Sequence, residues 1–217
     1  MKRGMIVVVD YGMGNLRSVE KAFEKAGARV RVSSRPGDVK RADKVVLPGV
    51  GAFGHAMREL KARDLVEPIL EKIKEGAPFL GLCLGLQLLF GSSEEAREKG
   101  LGVLPGGVLR FSAPATKPAG PSFGGKGGLK VPHMGWNTLA LRRKDCPLFK
   151  GSKPKDHFYF VHSYYAAPKE KSALAATTDY GVSFCSAVWK DNVFATQFHP
   201  EKSQAAGQVL IRNFVRI

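Results

Sequence analysis

The stretch P-F-L-G-L-C-L-G-L-Q-L-L-F, residues 78–90, decides how the rest of the chain is read. Its first part, Pro78–Leu82, is a short apolar run of the kind that forms a strand buried on both faces, and Leu84–Leu89 starts a helix. Between them stands Cys83, in G-L-C-L-G at 81–85. A strand that turns sharply into a helix presents the residue at the turn, and this is the geometry of a nucleophile elbow with cysteine where G-x-S-x-G hydrolases have serine. The flanking glycines suit a turn in which backbones approach closely. A helix starting at residue 84 favours thiolate over thiol at its positive end. It also offers free N–H groups to an oxyanion, that of Leu84 first. A buried, inert cysteine would leave the same letters, since free cysteine is commonly buried.

Outward from this stretch, strands alternate with helices. Met5–Asp10 is an apolar run ending in the turn D-Y-G-M-G-N, and Leu16, Val19, Phe23 and Ala26 follow at helical spacing up to Gly27. Arg29–Ser33 and Lys44–Leu47 read as strands, 54–62 and 65–75 as helices, and Gly76 closes the second of these. Such alternation predicts a parallel sheet with crossovers. The second half is more strand-like, with candidates at Val108–Phe111, Asn137–Leu141, Phe158–Val161, Ala173–Thr178, Ser183–Trp189 and Val193–Phe198, and a closing helix at Gln204–Arg216. Residues 112–130 hold five glycines, three prolines, three lysines and no acid, a composition that predicts a flexible loop. The 217 residues are otherwise expected to form one domain, 1–217.

Composition excludes several classes. Hydrophobic residues at 44% and charged residues at 24% argue against a wholly disordered chain and against a fibrous one. Three widely spaced cysteines, 83, 146 and 185, speak against a disulfide framework, and the lack of C-x-x-C removes a zinc ribbon, so no metal is expected. No apolar run is long enough for a membrane span or a signal-peptide core, which predicts a cytoplasmic protein with no membrane partner. Net charge is +15, and residues 103–217 hold 16 of the 34 Lys and Arg but only 6 of the 19 Asp and Glu. Arg142, Arg143, Lys144, Lys150, Lys153 and Lys155 crowd one stretch, yet no nucleic-acid fold signature accompanies them. A solvated face or a contact for an acidic partner explains them as well.

A thiolate nucleophile needs a base. F-A-T-Q-F-H-P-E-K-S, residues 194–203, supplies His199 after an apolar strand, and Pro200 biases it towards extended backbone. Residues i and i+2 of an extended chain point the same way, which sets Glu201 beside His199 as its orienter. A strand-end histidine with a surface glutamate is the competing reading. The acid follows the histidine, against the order of α/β-hydrolases, and no P-C-x-x-C follows as in zinc deaminases. P-G-V-G at 48–51 ends a neighbouring strand, so the Val50–Gly51 amides could complete an oxyanion hole with Leu84; an ordinary turn is the alternative. G-M-G-N at 12–15 is no dinucleotide fingerprint, because position 17 is Arg.

Taken together, D-Y-G-M-G-N-L-R-S, L-P-G-V-G-A-F, G-L-C-L-G-L-Q-L-L-F, V-P-H-M-G-W-N, Y-F-V-H-S-Y and Q-F-H-P-E-K-S resemble the triad-type (class I) glutamine amidotransferases. Among them the pattern is most similar to the glutaminase subunits of imidazole glycerol phosphate synthases, from histidine biosynthesis. The resemblance runs from residue 5 to the closing helix and implies an α/β fold with a mixed, mostly parallel central sheet flanked by helices. It implies that Cys83 attacks the side-chain amide of glutamine, His199 shuttles the proton, Glu201 orients His199, and the amides of Val50, Gly51 and Leu84 hold the oxyanion. Gln87, Glu95, Ser163 and Tyr164 would surround the glutamine, with Glu94 competing with Glu95 for the substrate's ammonium group. No cofactor is implied. Ammonia would pass to a separate cyclase subunit, a (β/α)8 barrel, forming a heterodimer in which Trp136, Tyr159 and Lys202 face the partner. A glutaminase of another biosynthetic pathway, or a non-catalytic basic binding module, are the alternatives.

Overall fold

A computed structural model describes residues 4–111 and 129–217; nearly all of the stretch 112–130 expected as a loop lies outside the described residues. In chain order the elements are β1 (Met5–Val9), α1 (Leu16–Lys25), β2 (Arg29–Ser33), α2 (Pro36–Lys40), β3 (Lys44–Gly49), α3 (Phe53–Ala62), α4 (Val66–Lys74), β4 (Phe79–Cys83) and α5 (Leu84–Gln87). There follow β5 (Gly106–Arg110), β6 (His133–Thr138), β7 (Ala140–Leu141), β8 (His157–His162), β9 (Tyr164–Pro168), β10 (Leu174–Asp179), β11 (Ser183–Lys190), β12 (Val193–Thr196) and α6 (Gln204–Arg216). The central sheet is mixed. Strands β2-β1-β3-β4-β12 run parallel, β11, β10 and β7 extend the sheet antiparallel, and β9 with β5 branches from β11. A separate two-stranded sheet pairs β6 with β8.

Alternation along the parallel strands feeds two cores. Val7, Val9, Val45 and Leu47 pack on one face with Phe53, Met57 and Leu60 of α3 and Ile69 of α4. Ile6, Val8, Val46, Leu80 and Leu82 pack on the other with Val19 and Phe23 of α1 and Leu210, Ile211 and Phe214 of α6. Side chains alternate across a strand, so a sheet covered on both faces needs apolar residues at nearly every position, as V-V-V and V-V-L provide.

Three expectations change. The helix expected at Leu84–Leu89 stops at Gln87, because the carbonyls of Leu88 and Leu89 accept from the N–H groups of Leu101 and Leu104 instead of continuing the helix. The strand expected at Asn137–Leu141 is two strands in different sheets, β6 on β8 and β7 on β10, with the chain crossing between them at Leu139. Strand β12 ends at Thr196, short of Phe198, where the Thr196 hydroxyl donates to the Phe198 carbonyl at 3.0 Å. Elements α2 and β9 were not expected at all: α2 is little more than one helical turn, and Y-Y-A-A-P of β9 shows no alternation of apolar and polar residues.

The elbow is the tightest point of the fold. Cys83 sits at φ 53°, ψ −101°, a strained backbone for a side-chain-bearing residue. A Cβ on Gly85 would stand 1.9 Å from the Leu47 carbonyl oxygen, and one on Gly81 2.7 Å from that of Gly85. Gly85→Ala is therefore expected to cost at least about 3 kcal/mol or to prevent soluble expression, because backbone must move. Gly91→Ala, with nothing within 4 Å, should stay within about 0.5 kcal/mol of wild type. Urea denaturation midpoints of the two variants check both.

Candidate active site

Parallel pairing brings the candidate residues to one edge. Gly49 of β3 lies opposite Cys83 of β4, and Leu82 lies opposite Thr196 of β12. The loop after β3, the turn after β4 and the segment after β12 therefore leave the sheet side by side, at the C-terminal ends of its strands, where open α/β sheets bind their ligands. There a cavity of about 410 Å³ opens, lined by Val50, Gly51, Cys83, Leu84, Gln87, Glu95, Ser163 and Tyr164, together with Pro132, Val161 and His162.

His199 and Glu201 are joined directly. Nδ1 of His199 donates to Oε1 of Glu201 at 2.8 Å, and both side chains are almost wholly buried. Their backbone is extended at His199 and enters a short 3-10 turn, Pro200–Lys202. The second ring nitrogen, Nε2, has no hydrogen-bond partner among the described residues, nor does Oε2 of Glu201. Burial alone would lower the His199 pKa. The negative charge of Cys83 and then that of Glu201 outweigh burial and push it up to about 10. His199 is thus held as the imidazolium beside the Cys83 sulfur. The other two cysteines are unsuited to attack, since burial pushes Cys146 up to about 11 and Cys185 up to about 12.

The remaining candidates fall around the same cavity. Val50 is 38% exposed at its rim, and Gly51 adopts φ +95°, a conformation that favours glycine. Glu95 lines the cavity, where its Oε2 accepts the N–H of Phe53 at the start of α3 at 2.9 Å. Glu94 faces elsewhere and accepts the Arg110 N–H at 2.7 Å. Gln87, 4% exposed, donates to the Tyr164 carbonyl at 2.9 Å and to Oε1 of Gln197 at 3.2 Å. Gln197 in turn donates to Cys83 Sγ at 3.6 Å. Sequence reasoning passed over Gln197, although a polar side chain inside the apolar run F-A-T-Q-F is itself a signal. It also passed over Tyr11, whose wholly buried hydroxyl has no partner among the described residues.

Trp136, Tyr159 and Lys202 come together outside the cavity lining. Trp136 of β6 is 46% exposed and lies opposite Tyr159 of β8, ring centroids 5.9 Å apart, with Lys202 Nζ 5.8 Å over the Tyr159 ring. Tyr159 is tied to the pair just described, since its carbonyl accepts the His199 N–H at 2.9 Å. Among the described residues no three His, Cys, Asp or Glu side chains gather to hold a metal ion, and no helix is long and apolar enough to cross a membrane.

The sequence profile of the family described as Glutamine amidotransferase class-I matches residues 7–217. The chain belongs to this family. Among similar proteins, the imidazole glycerol phosphate synthase subunit HisH of Syntrophotalea carbinolica is 54% identical over 211 residues, covering 97% of this chain and 98% of that one. The protein of the same name from Thermosynechococcus vestitus is 49% identical and covers 100% and 99%. Among solved structures, PurLQS from Thermotoga maritima superposes with a TM-score of 0.72 at 17% identity, over 99% of this chain and 98% of that one. Another, described as a glutamine amidotransferase, gives 0.71 at 18% identity, over 97% of each chain. These two share the fold, and they have the mixed α/β sheet flanked by helices seen in this amidotransferase.

Two buried histidines beside the site behave oppositely to His199. His162 Nδ1 must donate to the Tyr164 carbonyl at 2.8 Å, so its Nε2 accepts from His133 Nδ1 at 3.0 Å, and His133 Nε2 accepts from Asn137 at 3.3 Å. Both rings are thereby neutral, and burial lowers His133 to about 4 and His162 to about 3 from the usual 6.5. Their contribution to stability is complete above pH 6.5. Below it the unfolded chain takes up protons that the folded chain refuses, so stability falls as the pH drops towards those lowered values. The urea midpoint should fall between pH 6.5 and pH 5, and the fall should be shallower in His162→Gln.

Proposed function

We propose that this chain is the glutaminase subunit of an imidazole glycerol phosphate synthase, a single amidotransferase domain acting in the cytoplasm in histidine biosynthesis. The observation that carries the reading is a buried, carboxylate-held histidine, charged through its interaction with the cavity-lining Cys83, in a chain 54% identical to a HisH subunit over nearly its whole length. The relatives cited above bear one name, which favours this reading over a glutaminase of another pathway.

In this reading glutamine binds with its side-chain amide against Cys83 and its ammonium group towards Glu95, the carboxylate that lines the cavity. Ser163, Tyr164 and Gln87 complete the surround. Cys83 Sγ bonds to the amide carbon, and the carbonyl oxygen becomes an oxyanion that the amides of Leu84 and of the Val50–Gly51 segment receive. His199 Nε2 delivers its proton to the departing nitrogen, the C–N bond breaks, and ammonia leaves a γ-glutamyl thioester. Neutral His199 then takes a proton from water, hydroxide adds to the thioester, and glutamate departs with regeneration of the thiolate. Glu201 keeps the ring oriented and stabilises its charge throughout.

The ammonia passes to a cyclase subunit, a (β/α)8 barrel, docked on the face bearing Trp136, Tyr159 and Lys202. Exposed Met134, two residues before Trp136 on β6, adds a second exposed apolar side chain to that strand. Trp, Tyr and Met are residue types enriched at protein interfaces.

Because the nucleophile only liberates ammonia, Cys83→Ala in the complex should abolish glutamine-dependent synthesis and leave ammonia-dependent synthesis intact. His199→Asn should be nearly as damaging to the glutamine-dependent reaction, and Glu201→Gln milder, since nucleophile and base act as a unit. Steady-state rates with glutamine and with an ammonium salt measure both. Equal loss of the two activities in Cys83→Ala would contradict the division of labour.

A further inference from the structure

Gln197 has no role in the chemistry just described, yet it is the one amide side chain in contact with the Cys83 sulfur among the described residues. It is fully buried on the segment between β12 and His199. We propose that Gln197 is a positioning residue for Cys83: its N–H holds the sulfur and favours the thiolate, and its own orientation is set by Gln87 and the Tyr164 carbonyl. This rests on the reading of Cys83 as the nucleophile.

The direction of the amide follows from what each neighbour can accept. The Tyr164 carbonyl can only accept, so Gln87 turns its nitrogen towards it at 2.9 Å. The same nitrogen reaches Oε1 of Gln197 at 3.2 Å, which leaves the Gln197 nitrogen facing Sγ at 3.6 Å. The Tyr164 carbonyl is fixed in turn by the His162 ring at 2.8 Å. A chain of donors thus runs from a backbone carbonyl of β9 to the sulfur, and no link can be reversed without setting donor against donor or acceptor against acceptor.

Ionisation of Cys83 makes Gln197 matter more. As a thiol, the sulfur can donate to the Val161 carbonyl at 3.9 Å. As a thiolate it can only accept, so the Val161 carbonyl ceases to help and the Gln197 N–H becomes charge-assisted. The titratable groups that face the same sulfur are His199, with Glu201 behind it, and the Tyr11 hydroxyl at the end of β1; His162 and Glu95 line the cavity around it. Of these only His199 carries positive charge, so Gln197 adds a neutral donor to the hold on the anion without adding a charge that would compete for Glu201.

The test is the pH profile of Cys83 alkylation by iodoacetamide, followed by peptide mass spectrometry that separates Cys83 from Cys146 and Cys185. A hydrogen bond to a charged group is worth about one pH unit or more on the anion it stabilises. Gln197→Met, similar in length but without the N–H, should raise the alkylation midpoint by about one unit and lower glutaminase kcat about tenfold, with KM within about threefold of wild type. Gln197→Glu, which preserves shape and brings a carboxylate to the thiolate, should raise the midpoint further. A role in packing alone would lower the urea midpoint of the variants and leave the alkylation midpoint where it was, and that result would overturn the proposal. Should both variants fail to fold, the wild type answers: the side-chain amide 15N resonance of Gln197 must titrate with the midpoint of Cys83 alkylation, and a flat resonance refutes the contact. Alkylation needs no glutamine turnover. A shifted midpoint in a chain that hydrolyses no glutamine would therefore support the positioning role while removing the glutaminase reading.

Discussion

The left-handed backbone at Cys83 is the constraint on which the site depends. At φ 53° the residue is held in a conformation that costs of order 1–3 kcal/mol, and it persists because its surroundings leave no alternative. Gly81 and Gly85 allow the turn to close against itself and against the Leu47 carbonyl, at separations no Cβ could occupy. The pairing of β4 between β3 and β12 then fixes what stands beside the sulfur. With Gly49 opposite Cys83 and Thr196 opposite Leu82, the oxyanion-loop candidate and the histidine segment begin one or two residues beyond the sheet, at the height of the elbow. A shift of one residue in either register would turn alternate side chains to the opposite face.

Buried histidines within this small region are driven in opposite directions by their neighbours. His199 faces Cys83 and Glu201, and two negative groups overcome desolvation and hold it charged. His162 and His133 face a carbonyl, each other and aromatic rings; His133 stacks on Phe160 and Tyr180 at 4.7 and 4.0 Å. With no carboxylate among the described residues near enough to offset a charge, desolvation wins and both rings stay neutral. The neutral pair orders the hydrogen bonds that end on the Tyr164 carbonyl, while the charged ring leaves Nε2 without a hydrogen-bond partner among the described residues. Strand β8 connects the two systems, since His162 ends it and the Tyr159 carbonyl within it anchors the His199 backbone. The exposed Trp136–Tyr159 face therefore lies one backbone hydrogen bond from His199.

The basic second half shows how a compositional signal dissolves on inspection. Arg142 donates to the Thr177 hydroxyl at 3.0 Å, and Arg143 pairs with Asp145 and lies 4.3 Å over the Trp189 ring. These two cations fasten the segment after β7 to the central sheet, and a run of basic letters in the sequence becomes two structural contacts and several solvated side chains. Ion pairs between exposed partners, such as Lys21–Glu24 and Lys40–Glu71, contribute little each. The His199–Glu201 pair differs because both partners are buried and its geometry is fixed by an extended dipeptide held by Pro200.

Local features were legible in the sequence because they are set within a few residues. The elbow glycines, the His-Pro-Glu spacing, the alternating strands and helices of the first half and the limits of α6 all follow from period, turn chemistry and short-range geometry. What failed to show were features decided by partners distant in the chain. The end of α5 depends on N–H groups of Leu101 and Leu104, and the split of β6 from β7 depends on β8 and β10. The choice between Glu94 and Glu95 depends on the N–H groups of Arg110 and Phe53, and the use of Gln197 on Gln87 and Cys83. By itself the sequence singled out Cys83, His199 and Glu201 as candidates for the chemistry, since the glycine-flanked cysteine and the His-Pro-Glu spacing are each local facts. The tertiary structure decided which hydrogen bonds and charges each of them meets, because a donor or a charge acts through distance in space, and the strand register brings residues more than 100 positions apart within 3.6 Å.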